Sequence, residues 1–115
     1  MGEFIVVKQP ADEYAAHELA LCATNNWRDL YRGTGHAIIR MLARCMTAGT
    51  YDHDKAVVAW RHYADAAAKR YCADYAGRDD MPRIFTPATR DLAAIEIRDY
   101  YDSLVREVSE GTSTL

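Results

Sequence analysis

Trp60, Tyr63, Ala67, Tyr71 and Tyr75 recur at intervals of three and four residues, with Ala64, Ala68 and Cys72 beside them. Residues at that spacing share one face of an α-helix, so the segment predicts a long helix with large rings and small alanines on a single stripe. A stripe this wide needs cover on more than one side, which places the helix centrally and requires other helices around it. On its outer face Arg61, Asp65 and Lys69 stand four apart, a pattern for two surface ion pairs worth roughly a few tenths of a kcal/mol each.

The other helices are located by their end signals. After Pro10, Asp12 and Glu13 supply an acidic first turn, and Ala16, Ala20, Ala23, Trp27 and Leu30 continue at helical spacing. Asn25 and Asn26 are poor helix formers that kink or open this first helix, and Gly33 and Gly35 are expected to end it. Thr34 is expected to cap a short second helix, with Ile38, Leu42 and Cys45 on one face and His36, Arg40 and Arg44 on another. The Ala48-Gly49-Thr50 segment breaks that helix, and Asp52 or Asp54 caps the aromatic one, which Gly77 closes. A loop with Arg78-Asp79-Asp80 and Met81-Pro82 follows. Thr86-Pro87 then sets a capping hydroxyl before a proline at the first helical position, which opens a last helix with Ala93, Ile97, Tyr101, Leu104 and Val108 facing inward.

These elements predict an all-α chain: a compact four-helix bundle or irregular helical domain over residues 11–110, with a short extended N-terminal arm over 1–10 and a frayed tail over 111–115. With 115 residues, one domain is expected, large enough for a core without disulfide or metal staples. The arm rests on the β-branched run Phe4-Ile5-Val6-Val7, closed by Pro10. One strand cannot make a sheet, so the arm lies against the helices, pairs with a copy in a homodimer, or adds to a partner's sheet edge.

Composition narrows the function classes. Fourteen basic residues against 17 acidic ones leave a net charge of −3, neither a basic nucleic-acid footprint nor a strongly acidic mimic. Cys22, Cys45 and Cys72 are odd in number and widely spaced within helical patterns, so reduced thiols in a cytoplasmic protein are expected. The opening Met-Gly-Glu-Phe has an acid where a secretory signal needs a basic residue, and no run approaches the roughly 18 apolar residues of a membrane span.

No residue pattern spells out a reaction. Metal ligands at C-x-x-C or H-E-x-x-H spacing do not occur, so neither a metal nor another cofactor is expected. Cys22 and Cys72 lie within helices, where the dipole does not activate a thiol, and Cys45 adjoins Arg44 in sequence only; an enzyme would have to assemble in the fold, for instance around Cys45, His36 and His53. Glu96, Asp99 and Asp102 form an acidic row, with Arg98 and Arg106 each four from Asp102, as on an ion-paired solvated face. Gly33-Thr34-Gly35 before a helix resembles a phosphate cradle but lacks the glycine fingerprint and lysine of one.

The segment Asn25, Asn26, Trp27, Arg28, Asp29, Tyr31 and Arg32 is the more informative. Two asparagines within a helix invite either a binding role with an aromatic anchor or a kink whose amides bond nearby backbone. Arg28, Arg32, Arg40 and Arg44 would supply phosphate contacts in a nucleic-acid reading.

Taken together, Asn25-Asn26-Trp27-Arg28-Asp29-Leu30-Tyr31-Arg32, Gly49-Thr50-Tyr51-Asp52, Lys55-Ala56-Val57-Val58-Ala59-Trp60 and Phe85-Thr86-Pro87-Ala88-Thr89-Arg90 resemble a family of small helical proteins of bacteriophages and mobile elements. The resemblance spans roughly residues 18–101 and rests on packing and turn signatures, so it implies ancestry and carries no catalytic residues. Where such proteins tend to be lysine-rich before Gly-Thr-Tyr-Asp, this chain has Cys45-Met46-Thr47. Small size, the lack of a catalytic constellation and this origin together lead to the expected function, an accessory protein that binds and inhibits a host protein, such as a component of a defence complex, with the Asn25–Arg32 segment as contact surface and the Phe4–Val7 arm as a second docking element. The alternative is a small nucleic-acid-binding protein using the basic helix face.

Overall fold

The computed structural model describes residues 10–76 and 85–115. The N-terminal arm built on Phe4–Val7, the Gly77 stop and the Arg78–Pro82 loop lie outside the described residues. In chain order the elements are α1 (Pro10–Asn25), a single turn α2 (Arg28–Leu30), a π-helical turn (Tyr31–Gly35), α3 (His36–Ala48), α4 (His53–Tyr71), a second π-helical turn (Cys72–Ala76) and α5 (Pro87–Ser109). The described residues form an all-α assembly without a strand.

Most helix ends follow their local chemistry. Asp52, in extended conformation, caps α4 by accepting from the backbone N–H groups of Asp54 and Lys55 at 2.9 and 3.2 Å. Thr86 accepts from the Thr89 N–H at 3.2 Å, and Pro87 stands in the first turn of α5. Gly49 takes a left-handed φ of 76°, which lets its own N–H and that of Thr50 reach the carbonyls of Met46 and Cys45 and close α3.

The Gly33-Thr34-Gly35 segment departs from expectation. It does not end a helix, and no side-chain cap opens α3. The break falls earlier, at Trp27, whose φ of −113° and ψ of 83° leave the helical region after α1. From Arg28 the helical path continues to Ala48, widened into a π turn over Tyr31–Gly35. Packing accounts for the glycine: a Cβ on Gly35 would stand 3.2 Å from Tyr31 Cδ1 and 3.5 Å from Tyr63 Cε1, so its absence lets the backbone lie on those rings. Against the roughly 1 kcal/mol that glycine costs within a helix stands the displacement that a Cβ would force on the Tyr31 ring.

α5 is the hub, packing on α1, α3 and α4, while α4 also packs on α1 and α3 touches α4 only slightly. The aromatic stripe of α4 is buried as its period requires, with Val57, Trp60, Tyr63, Ala64, Ala67 and Ala68 all closed to solvent. Trp60 stacks on Tyr101 of α5 at 5.1 Å between centroids, Tyr63 meets Trp60 edge-on at 5.7 Å, and Tyr31 stacks on the Tyr101 ring at 5.6 Å. The buried Tyr63 hydroxyl donates to the Ala23 carbonyl at 2.8 Å, which ties α4 to the end of α1. Tyr75 leaves the stripe: the second π turn changes the helical phase, and its side chain is exposed.

Polar links fix the helices to one another. Asp12 of α1 accepts from the buried Thr89 hydroxyl at 2.7 Å and from Thr86 at 3.3 Å, at the N-terminal end of α5 where a carboxylate is favoured. Arg61 bonds both Asp65 and Asp91, and Asp65 also accepts from Arg90 at 2.9 Å, joining α4 to α5. Asp65 thus serves a tertiary network as well as the expected pair with Arg61. The Cα trace spans 40 × 34 × 16 Å, a flattened body about two helices deep. No helix among the described residues is long and apolar enough to cross a membrane.

Candidate binding surface

The path from Asn25 to Ala48 carries every residue singled out for binding. Asn25 and Asn26 are exposed at the break after α1, and Asn26 Nδ2 lies 3.6 Å from Cys22 Sγ. Burial pushes the Cys22 thiol up, which favours its protonated form. Trp27 is not an exposed anchor: its indole is buried beneath the Arg70 guanidinium, 5.7 Å above the ring. That same guanidinium bonds Asp29 at 2.7 Å and Asp74 at 2.8 Å, and the Arg70 bond holds the Asp29 carboxyl below its usual range. Trp27 and Asp29 therefore fix the break in place, while Asn25, Asn26, Arg28 and Arg32 face solvent.

Tyr31 is half-buried, with His36 edge-on at 4.5 Å. It helps line a groove of about 380 Å³ with Thr24, Tyr100, Tyr101, Leu104 and Glu107. Burial lowers the His36 pKa, and repulsion from Arg40 and Arg32 adds to the shift, so the imidazole is favoured in its neutral form between two guanidinium groups on one side of the helical path.

The described arginines divide into two sets. Arg61, Arg70, Arg90, Arg98 and Arg106 each pair with a carboxylate within 4 Å. Among the described residues, Arg28, Arg32, Arg40 and Arg44 have no such partner, and all four are exposed. They recur at four-residue steps through His36, which forms a cationic ridge along α2, the π turn and α3. The sequence carries a signal for this: no Asp or Glu occurs between Asp29 and Asp52 in a chain with 17 of them.

Two apolar grooves lie along α3. Between α3 and α5, Ala43, Thr47, Ala48 and Val108 line about 420 Å³, with Arg40 and Arg44 on the rim. Between α3 and α4, Met41, Leu42, Cys45, Tyr51, Val58 and Ala59 line about 400 Å³, with Lys55 at the edge. Met41 and Val58 are exposed, Val58 by 66%. Neither residue stands out in sequence, because a single exposed apolar side chain becomes informative only beside its tertiary neighbours.

The residues considered for catalysis do not converge. Cys45 lines the α3–α4 groove, whereas His36 lies against Tyr31, nine residues back and roughly 13 Å along the helix axis. His53 belongs to a third cluster: Tyr51 Oη lies 3.3 Å from His53 Nδ1 and donates to Asp102 at 3.2 Å. Arg106 also bonds Asp102, at 3.0 Å. Burial alone would raise the Asp102 pKa, but the bonds from Arg106 and Tyr51 bring it below its usual value. The acidic row is ion-paired as its spacing suggests, with one change of partner: Arg98 turns to Asp99, Arg106 holds Asp102, and His17 reaches Glu96 at 2.8 Å. Gly33-Thr34-Gly35 lies inside the helical path and offers no free helix start as a phosphate cradle. No group of three metal-ligating side chains occurs among the described residues.

Fold and surface together define a small all-α protein with a cationic ridge that is unpaired among the described residues and borders an apolar groove at Arg40 and Arg44. No family model, curated protein or solved structure matches the chain.

Proposed function

We propose that this protein acts by binding, as an accessory protein of a phage or mobile element that occupies a protein of the host cell and inhibits it. The observation that carries this reading is the set Arg28, Arg32, Arg40 and Arg44, unpaired among the described residues, with Arg40 and Arg44 lining an apolar groove between α3 and α5. Arginine beside exposed methionine and tyrosine is the composition of protein interfaces, and cations without internal partners leave their attraction for an external acidic surface. Small size, the lack of a catalytic constellation in the sequence and the suspected origin point such a surface towards a component of a defence complex in the host cytoplasm.

A second reading follows from the same ridge. Cations at four-residue steps, roughly 6 Å apart, suit the phosphates of a nucleic acid, with Tyr31 and Tyr100 alongside for stacking.

Affinity capture of the chain from host lysate, with mass spectrometry of bound protein and nucleic acid, separates the two. The expected result is one host protein retained by the wild-type chain and lost with Arg28, Arg32, Arg40 and Arg44 all changed to glutamate. Retention of nucleic acid that declines steeply with salt would support the second reading instead. Capture unaffected by the four substitutions would remove the ridge from both.

A further inference from the structure

Resting on the protein-binding function above, we infer that the α3–α5 groove receives an acidic segment of the partner, with an aliphatic side chain on its floor and carboxylates on Arg40 and Arg44. Both guanidinium-bearing residues line the groove themselves, and neither has a carboxylate within 4 Å among the described residues. They stand one helical turn apart, roughly 6 Å, on the exposed side of α3. The floor is small and largely apolar, with Ala43, Thr47, Ala48 and Val108 around about 420 Å³. Its hydroxyls are already engaged: Thr47 donates to the Ala43 carbonyl at 3.1 Å and Ser109 to the Arg106 carbonyl at 2.7 Å. The two guanidinium groups are the side-chain donors left for a ligand.

The sign of the occupant follows from the surroundings. No carboxylate lines this groove; Glu107, just before Val108, lines the Tyr31 groove instead, and Glu110, past the end of α5, acts on Arg106. Helices α3 and α5 both end here, at Ala48 and Ser109, and bare C-terminal carbonyls would repel an anion. Several of these carbonyls are covered: Gly49 and Thr50 donate to Met46 and Cys45, and Gly111 and Thr112 to Val108 and Glu107. Two full positive charges therefore set the local potential. The floor selects the class of occupant. It has no aromatic ring on which a base could stack, so a nucleic acid would gain only phosphate contacts. An acidic peptide gains from the guanidinium groups and the aliphatic floor together.

The test uses the full chain and a fluorescein-labelled peptide in which leucines are flanked by glutamates one helical turn apart, read by anisotropy. One control peptide carries serines in place of the leucines, and another carries lysines in place of the glutamates. The acidic leucine peptide is expected to bind, and each control to bind at least about tenfold more weakly. Arg40→Gln together with Arg44→Gln should weaken it about tenfold or more, and Ala48→Gln, at an exposed position of the floor, about fivefold. Arg28→Gln, outside the groove, should change it by less than about twofold. Arg40→Glu together with Arg44→Glu should turn the preference towards the lysine peptide, a result that no folding defect produces. Absence of binding by the acidic peptide, equal binding of the serine peptide, or indifference to Arg40→Gln with Arg44→Gln overturns the inference. Binding of a single-stranded oligonucleotide that needs Arg40 and Arg44, with no peptide binding, overturns it in favour of nucleic acid. A host protein captured through the ridge, but equally by the Ala48→Gln chain and not displaced by the peptide, leaves the binding function standing and removes the groove from it. Peptide binding with the expected dependences but no host protein captured supports the groove and counts against the host-protein function.

Discussion

Single side chains show where tertiary packing overrules local pattern. Trp27 has the spacing of a helix residue and the composition of a binding anchor, yet it lies under Arg70 at a helix break. No local rule gives that, because Arg70 is distant in sequence. The Asp12–Thr89 bond is equally hidden, joining residues 77 apart. Replacing Thr89 with valine keeps its shape but removes the donor, and should lower stability by about 1–2 kcal/mol in urea denaturation; an unchanged midpoint would make the bond a passive contact. The core tyrosines make a pH prediction. Burial pushes Tyr63 up to about 12 and Tyr101 well above its ordinary range. Because the folded-state pKa is raised, the stabilisation from neutral phenols is complete below the unfolded value near 10 and is lost as pH rises through about 12. Loss of helix by circular dichroism should therefore accompany tyrosinate absorbance in that window; tyrosinates forming with the helices intact would contradict it.

Among the elements, helix boundaries set by backbone chemistry were readable and the path between them was not. Asp52, Gly49 and Thr86-Pro87 act where their hydrogen-bonding and φ preferences place them. Gly33 and Gly35 look like a stop in sequence, but glycine marks both a helix end and a close approach, and only the Tyr63 ring decides between them. The two glycines should then respond oppositely to alanine. Gly33 has nothing within 4 Å of an added Cβ, so Gly33→Ala should stabilise by about 0.5–1 kcal/mol. Gly35→Ala meets Tyr31 and Tyr63 and should destabilise by about 1 kcal/mol or more. Melting temperatures of both variants check the pair, and a gain in each would mean that the tyrosines yield freely. The ridge was half legible: the row His36, Arg40 and Arg44 follows from helical spacing, whereas its lack of carboxylate partners among the described residues depends on where the other acids lie.

At the scale of the whole molecule, charge is sorted into cations that hold the fold and cations that do not. Glutamate at Arg28, Arg32, Arg40 or Arg44 should change stability by no more than about 0.5 kcal/mol each. Arg90→Glu faces Asp65 from a largely buried position and should cost about 2 kcal/mol. Chemical denaturation of both sets makes the comparison, and a large loss from the ridge variants would reveal a structural role there. The flattened shape, 16 Å deep, has a thermodynamic consequence of its own. A thin body keeps more of its surface wet than a sphere of equal volume, so unfolding exposes less new apolar area and carries a smaller heat-capacity change. Ligation of one broad face by a partner at a hundred times its Kd adds about 2.7 kcal/mol, enough to make the melting temperature a direct gauge of how much partner is present.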